Sequence, residues 1–190
     1  QVSKRMRRIS RDGTLWVTVN LVNKIVKTDL LEVILGKGCK ILNISNSTIV
    51  GHFSSIIKSP IFKSQLKELD LSQSALTGSL PVEAYSTENI DVLEELLFSC
   101  CSLQCLKMEG LLITPKMAVS ICKNGKTLQV LNLNNSHVIE FQAGLLKSSK
   151  LQAIITSCQE LKEFAFNNGN KWLRDINLEF LARNISPNIV

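Results

Sequence analysis

Histidine is nearly missing from this chain, with His52 and His137 as its only two, and both stand alone. No GxSxG, P-loop or HExxH pattern occurs either. The sequence therefore points away from catalysis, and the expectation is a chain that is not an enzyme. Cys-x-x-Cys pairs are also absent, which argues against a zinc site. No cofactor is expected. Long apolar runs are missing as well: nothing approaches the roughly 18 residues of a membrane span. The basic N-terminus is not followed by an apolar stretch of roughly 7–15 residues, so no secretory leader is expected and no membrane partner.

What is there is an ordinary apolar content of 45%, enough for a sizeable core in one domain. Six cysteines, at 39, 100, 101, 105, 122 and 158, sit in a chain too long and apolar to need disulfide staples. They are expected to be free thiols in a reducing compartment, nucleus and/or cytoplasm. Cys100 and Cys158 each stand three residues before a repeat leucine, where a thiol acts as a small buried hydrophobe. Cys105 is the one expected to be exposed, with Lys107 as a weak reason for a lowered pKa.

The net charge of +6 is local. Residues 1–27 hold seven bases against Asp12 alone, and the rest of the chain holds 15 of each sign. The bases alternate with Val2, Met6 and Ile9 at spacings of four and three, the pattern of a short amphipathic helix with a solvated basic face. No nucleic-acid partner is expected. The Asn-x-Ser/Thr sequons at Asn43, Asn46, Asn134 and Asn184 are read as chance.

One frame recurs along the chain. Leu66-Lys-Glu-Leu69-Asp-Leu71 has the form LxxLxL, and it returns at Leu103, Leu128 and Leu161, with an earlier copy at Cys39 and an entry to another at Ile189. The intervals are 27, 37, 25, 33 and 28 residues. A leucine-rich repeat runs roughly 20–29 residues, so two intervals need insertions, placed near 75–86 and 141–150. Apolar residues two apart share one face of a strand, and the residues between them point the other way. A second apolar stretch in each repeat forms a helix: 87–98 with Thr87 as cap, 114–122 with Pro115 at the first helical position, 151–158 and 175–182.

The predicted fold is therefore α/β, a leucine-rich-repeat solenoid or horseshoe with parallel strands on the concave face and helices on the convex face. Strands are expected near 17–21, 40–45, 67–72, 104–109, 129–134 and 162–167. The position three past the last strand leucine, where this repeat class carries a buried amide, holds Ser47, Ser74, Leu111, Ser136 and Gly169. Serine hydroxyls are expected to serve the loop backbone in its place.

Solenoids bind partners on extended concave surfaces. The outward strand positions give the candidate partner-binding residues: Asn43, Glu68, Asp70, Ser72, Lys107, Glu109, Asn132, Asn134 and Asn167. Trp16 is expected to pack at the entry to the first strand, and Trp172 under a loop. Phe164, Phe166, Phe180 and Ile189 are expected near an uncapped end prone to self-association.

The opening residues, Val2-Ser-Lys4-Arg5 and Asp12-Gly-Thr-Leu15-Trp16, resemble the C-terminal end of an F-box, V-C-K/R-R-W followed by D-x-x-L-W. Ser3 and Met6 depart from that pattern. An F-box tail running into such repeats resembles the F-box/leucine-rich-repeat family. The resemblance implies a substrate-recognition subunit of an SCF-type ubiquitin ligase, with a remnant of the F-box at 1–16 and repeats over 17–190. It implies a protein substrate on the concave face and an SCF adaptor on the F-box side, where Val2, Arg5, Leu15 and Trp16 stand. It further implies that most adaptor-contacting helices of the F-box precede Gln1. The open alternative is a leucine-rich-repeat scaffold or inhibitor with no ligase role.

Overall fold

The computed structural model describes residues 12–59, 61–74, 87–138 and 149–166. A 3-10 turn, Gly13–Trp16, leads into strand β1 (Thr18–Asn20), then β2 (Ile25–Lys27) and helix α1 (Thr28–Gly36). Next come β3 (Ile41–Asn43), β4 (Thr48–Val50), the one-turn α2 (Ser55–Lys58) and β5 (Glu68–Asp70). Helix α3 (Thr87–Ser99) precedes β6 (Cys105–Lys107), β7 (Leu112–Ile113) and α4 (Pro115–Lys123). Then follow β8 (Val130–Asn132), β9 (His137–Val138), α5 (Ser149–Ser157) and β10 (Glu163–Ala165).

The protein is α/β. Its six-stranded sheet, in the order β1-β3-β5-β6-β8-β10, is parallel throughout, and each strand pairs with the next one of the sheet in the chain. The pairing is in register: Val19, Leu42, Leu69, Leu106, Leu131 and Phe164 form one row across it. A strand stands inside each of the six predicted windows. All-parallel sheets are usually covered on both faces. Here the central residue of each of the four inner strands is buried while its two flanking residues are exposed or half-buried. One face is therefore packed and the other is open.

The packed face explains the sequence frame. Cys39, Leu66, Leu103, Leu128 and Leu161 are buried, as are Leu42, Leu69, Leu106 and Leu131, and Ile44, Leu71, Met108 and Leu133. They join the apolar stripes of the helices in one core. Burying each leucine stabilises by about 1.5–3 kcal/mol. The helices pack in sequence, α2 on α3, α3 on α4 and α4 on α5.

Between the strand and the helix the chain turns through a left-handed residue in every described copy: Asn23, Asn46, Gln73, Gly110 and Asn135, with φ between 53° and 72°. Asparagine and glycine tolerate this conformation best, which accounts for four of the five. After the turn, β2 pairs with β4 and β7 with β9, two small parallel pairs the sequence did not announce. Helix α1 was not foreseen either.

Serine takes the place of the amide. The Ser47 hydroxyl donates to the Leu21 carbonyl at 2.7 Å and accepts from the Lys24 amide at 3.1 Å. Ser136 donates to the Met108 carbonyl at 2.6 Å, also in the preceding copy. Ser74 instead serves Leu71 of its own copy.

Some expectations need correcting. Thr87 is the first residue of α3, inside the helix rather than its cap. Helix α5 starts at Ser149, within the stretch assigned to an insertion. Pro115 is the first residue of α4, as expected, and Thr114, read as part of the helix, is its cap, accepting from the Met117 amide at 3.2 Å. Phe164 and Phe166 are half-buried, with parallel rings 6.3 Å apart. The predicted helix at 175–182, Trp172, Phe180 and Ile189 lie outside the described residues.

Candidate functional site

The register gathers the outward side chains into rows across the open face. Thr18, Ile41, Glu68, Cys105, Val130 and Glu163 make one row; Asn20, Asn43, Asp70, Lys107, Asn132 and Ala165 make the next. Neighbouring members stand about 4.8 Å apart along the ladder. Ser72, Glu109 and Asn134 follow at the turns, where the Glu109 amide donates to Ser72 Oγ at 3.3 Å. Glu68 and Lys107 are exposed, and Asn43, Asp70, Ser72, Glu109, Asn132 and Asn134 are half-buried. Eight of the nine predicted face residues are thus brought together, and Asn167 lies outside the described residues.

Three of those eight carry a structural duty that the sequence reading did not assign. Asn43 Oδ1 accepts the Ser45 amide at 2.9 Å, Asp70 Oδ1 the Ser72 amide at 3.0 Å, and Asn132 Oδ1 the Asn134 amide at 2.9 Å. Asn20 does the same for Val22 at 3.2 Å. Asn and Asp side chains readily close such two-residue turns. These oxygens hold the chain as it leaves the strand, and Glu109 Oε1 accepts from Asn135 Nδ2 at 3.4 Å, so the groups most available to a partner are the exposed Glu68 and Lys107. Lys107 breaks the row of turn-closing residues and places a cation between Asp70 and Asn132. The repeated Asn/Asp at one strand position was the signal that could have revealed the turn role.

Cys105 is half-buried on this face, and its thiol pKa is raised. Burial is the main cause and outweighs the opposite pull of Lys107. Both expectations for Cys105 are corrected, since the exposed thiol is Cys101. The buried thiols Cys39, Cys100 and Cys158 are raised by the same desolvation, Cys100 to about 11 and Cys158 to about 12.

At the first of the described residues, Asp12 Oδ1 accepts from the Thr14 hydroxyl at 2.7 Å and the Thr14 amide at 3.0 Å. These two bonds lower its pKa and start the turn that delivers Trp16. Trp16 is half-buried against the core and Leu15 is 54% exposed. Val2 and Arg5 lie outside the described residues.

The helical side holds a groove of about 660 Å³ between α3 and α4 that the sequence did not reveal. Glu94, buried beneath it, accepts from the Thr114 hydroxyl at 2.5 Å and pairs with Lys116 at 3.0 Å. Lys58 pairs with Glu95 at 2.9 Å, and the Lys123 ammonium lies 3.9 Å over the Phe98 ring. Phe98 is exposed because it falls just off the buried stripe of Leu93, Leu96 and Leu97.

Among the described residues, no group of three or more His, Cys, Asp or Glu is placed to hold a metal ion. No described helix is long and apolar enough to cross a membrane. No protein-family model matches the chain, and no curated protein is similar to it at a significant level.

Proposed function

We propose that the chain is a leucine-rich-repeat solenoid that acts as the substrate-recognition subunit of an SCF-type ubiquitin ligase. A target protein binds the open face of the sheet, and an adaptor binds on the F-box side. The subunit makes and breaks no bonds. It holds a substrate lysine near the ubiquitin-charged enzyme, which raises effective concentration and fixes orientation. This reading places the protein in the nucleus, the cytoplasm or both.

The observation that carries the reading is the join between two features. An Asp12-capped turn sets Trp16 against the core, in the D-x-x-L-W pattern of an F-box end. It runs directly into a sheet that grows one strand per copy of LxxLxL and leaves one face open. The left-handed turn residue after each of the five described strand exits supports the solenoid, since one backbone path is being repeated. The exposed Glu68 and Lys107, in adjacent rows of the open face, support a protein partner whose charges are mixed.

A pulldown of purified SCF adaptor tests the proposal. Two baits are compared: the 190-residue chain, and the chain extended by the upstream coding sequence of its transcript. Retention by either bait, lost on Leu15→Asp/Trp16→Ala substitution, is the expected result. Retention by neither removes the ligase reading and leaves a repeat scaffold.

A further inference from the structure

Each crossover returns to the sheet through a short loop, and these loops are rich in lysine. Residues 37–40, 63–67, 101–104, 124–129 and 159–162 together hold six lysines and one carboxylate, Glu160. Lys162 donates to Gln129 Oε1 at 3.2 Å. The remaining five have no ion-pair partner among the described residues, where both ion pairs line the groove on the helical side.

The sheet register turns part of this charge into a line. Lys40, Lys67, Gln104, Gln129 and Lys162 each precede the first residue of a strand, and their backbones are tied to one another. The Lys67 amide donates to the Lys40 carbonyl, Gln104 to Lys67, Gln129 to Gln104, and Lys162 to Gln129, at 2.7–2.8 Å. Five side chains therefore stand along one edge about 19 Å long, a strand spacing apart. Helix dipoles favour cations only within the last turn. Lys40, Lys67 and Lys162 lie four or more residues beyond helices α1, α2 and α5, so the dipoles do not explain them.

We propose that this edge is a docking ledge for an extended acidic segment of a protein partner. Its carboxylates pair with Lys40, Lys67 and Lys162, and the side-chain amides of Gln104 and Gln129 hydrogen-bond its backbone. The proposal rests on reading the sheet as a protein-docking surface. Protein is favoured over nucleic acid by what the edge is made of. Single-stranded nucleic acid uses aromatic stacking platforms, and none of the five ledge positions is aromatic. The cations are all lysine, point charges without the planar fork of arginine. Glu68 and Glu163 are exposed one residue further into the sheet, where they repel a partner of unbroken negative charge. A segment alternating acidic and polar residues satisfies both rows.

The probe is a fluorescein-labelled peptide of alternating Glu and Ser, titrated with the full chain and followed by anisotropy at low salt. Exposed charge pairs are individually weak and salt-screened. The variant carrying Lys40→Gln, Lys67→Gln and Lys162→Gln is therefore expected to bind about tenfold more weakly. A control carrying Lys24→Gln and Lys27→Gln, away from the ledge, is expected to match the parent chain. Circular dichroism melts confirm that both variants are folded. The proposal is overturned by no peptide binding, by equal losses in the two variants, or by tighter binding of a single-stranded oligonucleotide of equal charge. The adaptor pulldown separates the two readings. Lysine-dependent peptide binding without adaptor retention leaves the ledge and removes the ligase; adaptor retention without peptide binding removes the ledge alone.

Discussion

Gly125 and the Ser157 carbonyl are so close that a β-carbon at position 125 would meet that oxygen at 2.2 Å. The glycine lies in the turn after α4 and the serine ends α5, so the contact joins two successive copies of the frame. Backbone cannot swing aside as a side chain can.

Gly125→Ala should therefore force the two helix ends apart, costing about 1–3 kcal/mol as overpacking. The thermal midpoint should fall by several degrees. Gly36→Ala is the matched control, because nothing lies within 4 Å of its added carbon. Differential scanning calorimetry of both variants checks this, and equal midpoints would show that the close approach is not there.

The serine hydroxyls give a second test. Ser47→Ala removes the donor to the Leu21 carbonyl and the acceptor of the Lys24 amide. Leaving these part-buried groups unpaired costs about 1 kcal/mol. Ser74→Ala should cost less, because the Leu71 carbonyl it bonds also accepts the Ser74 backbone amide within the same copy. Urea melts that order the two variants the other way would contradict the role of Ser47 as a tie between copies.

This difference between serines shows what was legible in the sequence. A frame of apolar residues two and three apart fixes which side chains face the core, because a strand has only two faces. That is why all six strands of the sheet and the buried row from Cys39 to Leu161 could be read in advance. Which polar atom bonds which neighbour depends on distances between copies, and the frame does not carry those. Asn43, Asp70 and Asn132 look like free surface amides and acids until the backbone turns toward them. Phe98 looks like core until the helix is rotated onto its real stripe. Helix α1 is masked in the sequence because the exposed Leu30 and Val33 blur the buried stripe of Leu31, Ile34 and Leu35.

The buried thiols predict a pH dependence. Burial raises Cys100 to about 11 and Cys158 to about 12, above the ordinary thiol value near 9 of the unfolded chain. The unfolded chain thus loses these protons first. The stability the neutral thiols contribute is whole below about pH 9 and is lost as pH climbs through 11 and 12. Urea midpoints measured from pH 8 to 11 should fall with rising pH, and Cys100→Ala/Cys158→Ala should flatten that fall. Native labelling with a thiol reagent should modify Cys101 and spare Cys39, Cys100 and Cys158 until urea is added.

Glu94 sits between two partners of unequal worth, and the geometry decides which matters. Its bond to the Thr114 hydroxyl is buried, whereas the Lys116 ammonium it pairs with is largely exposed. Thr114 also caps α4 through the Met117 amide. Thr114→Val removes both bonds at once and keeps the shape, so it should cost about 1–3 kcal/mol, from a lost cap and an unpaired buried carboxylate oxygen. Lys116→Ala should barely move the thermal midpoint, because water replaces an exposed cation with little loss. A double-mutant cycle between Glu94→Gln and Thr114→Val should show coupling, since the two side chains share one hydrogen bond. If Lys116→Ala destabilised the protein as much as Thr114→Val, the ion pair rather than the buried hydroxyl would be holding α3 to α4.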